Sequence, residues 1–189
     1  MVIIRRNPDG TIASQEGGVN MNTPSHPALS TKRGMQALAD AGRPVSTLMS
    51  EIATKVNNAK DKPRKLKVLK DHDSVPLRQI LKGAFDPKIE WDLPEGTPPY
   101  KVNEAPAGTE HTVLYTESKR LWHFVKGADP KLTKARKEMM FIQMLEGLHA
   151  DEAKLLLNVK DKNLNTVYKG LTDAVVKEAF GWNEEYKTA

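Results

Sequence analysis

Five prolines, Pro87, Pro94, Pro98, Pro99 and Pro106, fall within residues 86–112 of this chain. Proline has a fixed φ and no backbone N–H, so such a stretch can form neither a helix nor a central strand. It must run as an extended connection between whatever precedes and follows it. Ile89, Trp91 and Leu93 alternate within it, which predicts a segment laid across other elements with one side buried. Loops this long inside a compact domain carry a function or pack as a belt.

On either side the apolar spacing is helical. A helix is expected over Lys32 to Ala41, stopping at Gly42 with Pro44 beyond. Ser46 or Thr47 then caps a helix bearing Leu48, Ile52 and Val56, which ends at Asn57-Asn58. Asp61, with Pro63 in the first turn, opens a helix carrying Leu66 and Leu69, and Pro76 sits early in another carrying Leu77, Ile80, Leu81 and Phe85. Connections this short predict three antiparallel helices.

Beyond the proline stretch, Thr116 is expected to cap a helix with Leu121, Trp122 and Val125 on its core side, ending at Gly127. Pro130 and Thr133 precede a helix with Met140, Phe141, Met144 and Leu145 inward, ending at Gly147. Asp151-Glu152 place negative charge at the start of Glu152 to Leu157, where the helix dipole favours it. Thr172 caps a last helix with Val175, Val176 and Phe180. The fold class expected is mainly α, a compact multi-helix bundle.

Residues 1–30 read as a flexible N-terminal tail. Asn7-Pro8-Asp9-Gly10 is a turn signal, and Val2 to Ile4 with Thr11-Ile12 could flank a short hairpin there. A single helical domain then covers 31–182, including the extended segment 86–112, and residues 183–189 form a C-terminal tail. With 39% hydrophobic residues and 28% charged, the chain has material for one core. No apolar run approaches the roughly 18 residues that span a bilayer, so no membrane partner is expected. The first residues lack a signal-peptide pattern, and there is no cysteine. An intracellular setting is the expectation.

The residues that usually carry chemistry do not assemble in sequence. His26, His72, His111, His123 and His149 are scattered, with no pair at ligand spacing on one helix. No glycine-rich loop follows a strand, and Ser74 and Ser118 lack a nucleophile-elbow setting. Glu51, Glu117, Glu138, Glu146, Glu152 and Glu178 read as solvated helix charges, and Met139, Met140 and Met144 as core filler. Neither an enzyme nor a cofactor or metal is expected.

Three lysine-rich runs stand out. Lys55, Lys60, Lys62, Arg64, Lys65, Lys67 and Lys70 crowd one helix and its approach; Lys126, Lys131, Lys134, Arg136 and Lys137 form a second; Lys154, Lys160, Lys162 and Lys169 surround a turn. Each lies near a helix start or turn, where free backbone N–H groups favour phosphate oxygens. Contacts of that kind give affinity without reading base sequence.

Three stretches carry a family resemblance. The first is Glu51-Ile52-Ala53, Lys65 to Leu69, and Leu77-Arg78-Gln79-Ile80-Leu81 leading to Ala84-Phe85-Asp86-Pro87. The second is Phe141 to Glu146 followed by Ala153 to Leu157. The third is Lys160-Asp161-Lys162-Asn163-Leu164-Asn165-Thr166 and a helix ending near Phe180-Gly181-Trp182. From Leu48 to about Trp182 the chain resembles the N-terminal helical DNA-binding domain of ATP-dependent DNA ligases, especially the compact phage type. In order and ending it is also similar to small tailed-phage proteins of unassigned function.

In the ligase family a basic-Asp pair, a branched apolar residue and a glycine form a turn against the DNA backbone. This sequence has Asn165 at the glycine position, a residue that tolerates left-handed backbone. The nucleotide-accepting Lys-x-Asp-Gly motif is missing; the only Asp-Gly is Asp9-Gly10, preceded by Asn7-Pro8. The resemblance therefore implies a binding module without a catalytic domain, gripping duplex or nicked DNA shallowly in the minor groove. Lys160, Lys162, Asn163, Asn165 and Thr166 would make the central contacts, flanked by Lys60, Lys62, Arg64, Lys134 and Lys137. Two other readings stay open: a tailed-phage virion structural or assembly protein, and an adaptor binding a host protein. They correspond to locations in the virion and in the host cytoplasm.

Overall fold

Local sequence signals set most of the helix boundaries. A computed structural model describes residues 5–6, 12–14, 47–105 and 110–188. The chain divides into two units at Arg43 and Pro44. In the first, β1 (Arg5–Arg6) pairs antiparallel with β2 (Ile12–Ser14), with Arg5 opposite Ser14 and Arg6 opposite Ile12. The paired residues lie one to three positions later than Val2 to Ile4 and Thr11-Ile12, and the turn expected at Asn7-Pro8-Asp9-Gly10 lies outside the described residues. The helix expected over Lys32 to Ala41 lies outside the described residues.

The second unit is helical, as the spacing predicts. Its elements are α1 (Met49–Asn58), α2 (Lys62–Asp71), α3 (Val75–Phe85), α4 (Leu114–Glu117) running on as a 3-10 turn over Ser118–Phe124, α5 (Lys134–Gly147), α6 (Ala150–Lys160), α7 (Leu164–Val167) and α8 (Asp173–Phe180). Four caps act as sequence chemistry dictates. Asp61 accepts the N–H of Arg64 at 2.9 Å, Ser74 that of Leu77 at 3.3 Å, Thr133 that of Arg136 at 3.3 Å and Thr172 that of Val175 at 3.4 Å.

Helix α6 buries Ala153, Leu155, Leu156, Leu157 and Val159 and so is apolar on nearly all sides. A helix of that kind belongs at the centre. It packs against α1, α3, α5 and α7, while α2 packs on α1 and α8. Phe124 and Phe141 meet edge to face, 5.4 Å between centroids, where the 3-10 turn lies on α5.

Several expectations are overturned. The α6 helix spans Ala150–Lys160 rather than stopping at Leu157. Thr116 does not cap its helix, which begins two residues earlier at Leu114; nor is the first cap Ser46 or Thr47, since the flanking residue is Leu48. Neither helix has a side-chain cap from its own neighbourhood. Glu152, read as a solvated charge, supplies both: its two carboxylate oxygens accept the N–H of Met49 at 3.0 Å and of Leu114 at 2.8 Å. It is 1% exposed. Glu117 is buried as well, holding the Thr112 hydroxyl and Arg120.

Trp122 stands 50% exposed and Phe124 takes the core position instead, because the segment winds as a 3-10 helix of three residues per turn. The winding ends at Phe124; Gly127, with φ 77°, lies in the turn beyond. In the stretch read as a C-terminal tail, Tyr186 is buried, its hydroxyl against the Asp173 carboxylate and 3.0 Å from the Phe85 carbonyl.

The described part of the proline segment, residues 86–105, forms a strap leading from α3; Pro106 lies outside the described residues. Trp91 makes an isolated antiparallel bridge with Val125, and its indole N–H donates to the Gly83 carbonyl at 3.1 Å. Gly83 is required there: a Cβ on it would stand 2.9 Å from the Trp91 ring.

Candidate nucleic-acid interface

The turn that joins α6 to α7 was expected to meet DNA, and its geometry is set by one unusual residue. The amide of Asp161 bonds the Leu157 carbonyl at 3.0 Å, and that of Lys162 bonds the Val159 carbonyl at 3.2 Å. Lys162 then takes φ 56°, a left-handed conformation. Asn165, at the glycine position of the ligase pattern, is instead an ordinary residue within α7. The left-handed site therefore lies three residues earlier than the resemblance implies, where α6 must turn sharply.

Left-handed backbone costs a non-glycine residue about 1–2 kcal/mol. What offsets it at Lys162 is its ammonium, which donates to the carbonyls of Gly83 at 2.7 Å and Asp86 at 2.8 Å. These belong to the last turn of α3 and its cap, where helix carbonyls lack internal partners and a cation is favoured. Burial pushes this lysine below its ordinary pKa, with the nearby Asp86 opposing.

Lys160 is committed in the same way. It is 5% exposed, and its ammonium donates to the Pro94 carbonyl at 2.8 Å and bonds the adjacent Asp161 carboxylate. Asp161 in turn accepts the Gly96 N–H at 3.3 Å. Lys137, expected as a flanking contact, is 2% exposed and bonds Asp92 at 2.9 Å, which holds that carboxyl below its usual range. Three lysines of the expected site thus face inward onto the strap and the α3 end it leaves. None of the three ammonium groups is free for a phosphate: Lys137 and Lys160 are buried, where an unpartnered charge would be costly, and Lys162, an exposed residue, turns its ammonium back onto two carbonyls.

The other expected residues divide. Asn163, Asn165 and Thr166 are exposed. With Lys160 and Lys162, the two asparagines line an open cleft of about 900 Å³ shared with Phe85, Trp91, Glu90, Glu95 and Asp161. Its three carboxylates oppose a phosphate. Lys134 is exposed, 4.0 Å from Asp92. Lys62 pairs with Glu178, and Arg64 with Asp61 at 3.3 Å.

Helix α2 is different. Lys60, just before it, and Lys65, Lys67 and Lys70 within it have no ion-pair partner among the described residues, nor has Lys55 at the end of α1. Arg64, Lys67 and Lys70 follow at three-residue intervals on the face opposite buried Leu69. Gly170 donates to the Asn57 side chain at 3.0 Å and leaves no room for a Cβ beside Lys65 Nζ, so Lys169 joins the same surface. Lys55, Lys65, Lys67, Lys70 and Lys169 stand in the sequence runs but outside the expected contact set. The signal that could have found the first four is the charge balance: residues 55–71 hold seven cations and two carboxylates, an excess equal to the +5 of the entire chain.

The described fold is that of a helical protein with a lysine-clipped strap, without a group of three or more His, Asp or Glu side chains placed to hold a metal among the described residues. No helix among them is long and apolar enough to cross a membrane. A family model matches residues 52–166, from α1 into α7, and the chain belongs to that family, a family of unknown function (DUF6433). The match includes the whole strap and its three lysines. No curated protein and no solved structure matches the chain.

Proposed function

We propose that this protein is a non-enzymatic DNA-binding module that grips the sugar-phosphate backbone through α2 and its approach. The observation that carries the reading is the net charge of residues 55–71, equal to that of the entire chain, in a stretch where Lys55, Lys60, Lys65, Lys67 and Lys70 have no ion-pair partner among the described residues. Unpaired, exposed ammonium groups in a row release counterions on meeting a phosphate rail, which drives binding of any sequence. The reading keeps the backbone contact implied by the ligase resemblance and moves it from the 160–166 turn to α2. Asn163, Asn165 and Thr166 remain exposed and would lie at the margin.

The test is fluorescence anisotropy with a labelled duplex, intact or nicked, across a salt series. Binding that weakens steeply with salt supports the proposal. Failure to bind at about 50 mM salt, or an affinity indifferent to salt, removes it.

A further inference from the structure

Between the strap and α5 lies a hollow of about 350 Å³, walled by Leu93, Pro94, Pro98, Pro99, Phe141 and Ile142. Its size and apolar lining are those of a small-molecule pocket. Lys160 is the single cation lining it, and that ammonium is already neutralised by Asp161 and the Pro94 carbonyl. Lys134 and Lys137, on the same helix as Phe141, both turn to Asp92. Two carboxylates complete the lining: exposed Glu95 on the strap and half-buried Glu138 on α5. Neither has an ion-pair partner among the described residues.

An apolar hollow whose positive charge is spent and whose two free charges are negative discriminates by sign. We propose that it binds a small organic cation with an apolar body, the body against Phe141, Ile142 and the strap prolines, the ammonium between Glu95 and Glu138. The two carboxylates attract a cation and repel an anion of the same shape.

The experiment titrates the full chain with phenethylammonium and, separately, with 3-phenylpropionate, an anion of similar size, following the Gly96 amide and the Ile142 methyl by NMR. The cation is expected to give saturable shifts with a dissociation constant near 1 mM, and the anion to bind about tenfold more weakly or not at all. In the Glu95→Gln/Glu138→Gln variant the preference for the cation disappears. Ile142→Trp, which fills the hollow, abolishes both. Equal affinities for cation and anion in the unmodified chain, or no saturable shift up to about 20 mM, overturn the proposal. Should Ile142→Trp fail to fold, the double glutamine variant still decides, because its positions lie at the surface and half-buried margin.

Discussion

Glu152 Oε1 accepts the backbone N–H of Met49 at 3.0 Å across 103 residues of sequence. Its other oxygen does the same for Leu114, so one carboxylate caps the first residues of α1 and α4 at once. Both amides would otherwise be orphaned donors in a buried setting. Glutamine keeps the volume but turns an NH₂ toward one of the two N–H groups. Glu152→Gln is therefore expected to lower stability by about 1–3 kcal/mol, and Glu152→Ala by at least as much, measured by urea denaturation.

The same carboxyl sets a pH dependence. Burial raises its pKa above the ordinary glutamate value, against the two N–H bonds that lower it. A raised folded-state pKa means that the folded form binds the proton more tightly than the unfolded chain. The contribution of Glu152 is then full below the unfolded value of about 4.3 and declines as pH rises through the folded pKa. Relative to Glu152→Gln, the unmodified protein should lose stability as pH rises through that window. A difference between the two that does not vary with pH in that range rejects the assignment.

At Lys162 two effects oppose each other, and substitution separates them. Lys162→Met keeps the strained φ and removes both hydrogen bonds to the α3 end; Lys162→Gly removes the bonds and the strain together. The methionine variant should be the less stable by about 1 kcal/mol, and both less stable than the original. Thermal melts rank them. Neither should change DNA affinity, since the ammonium faces inward.

Lys137 and Asp92 bind the strap to α5. Removing the lysine leaves the Asp92 carboxylate without its bonded partner, so Lys137→Met should lower the melting temperature by several degrees. The Asp92 amide, bonded to the Phe124 carbonyl at 2.7 Å, should then exchange its hydrogen faster while amides of α2 do not. Uniform acceleration across the protein would point to general destabilisation instead.

For α2, replacing Lys60, Lys67 and Lys70 by glutamine should weaken DNA binding and lower the slope of log affinity against log salt by up to about 2.7, near 0.9 for each phosphate no longer neutralised. The slope is read from the same anisotropy series. An unchanged slope would place the DNA away from this helix.

Much of the fold was legible because its determinants are local. Asp61, Ser74, Thr133 and Thr172 act on amides three residues ahead, and the prolines of 86–112 forbid helix by their own covalent structure. The misread caps at Ser46 or Thr47 and at Thr116 failed for one reason: the acceptor that serves those helices is a glutamate 38 and 103 residues distant. Trp122 was misplaced because a 3-10 winding shifts which residues share a face.

The candidate site divides along the same line. Sequence determines that lysines are numerous, that the excess lies in 55–71, and that a turn follows α6. It does not determine where an ammonium points. Lys160 meets Pro94, 66 residues away, and Lys162 meets Gly83, 79 residues away, so both became clips for the strap only once the chain had folded. Charge is a property of the residue. Whether water, a carbonyl or a phosphate satisfies it depends on which groups the tertiary structure brings within about 3 Å.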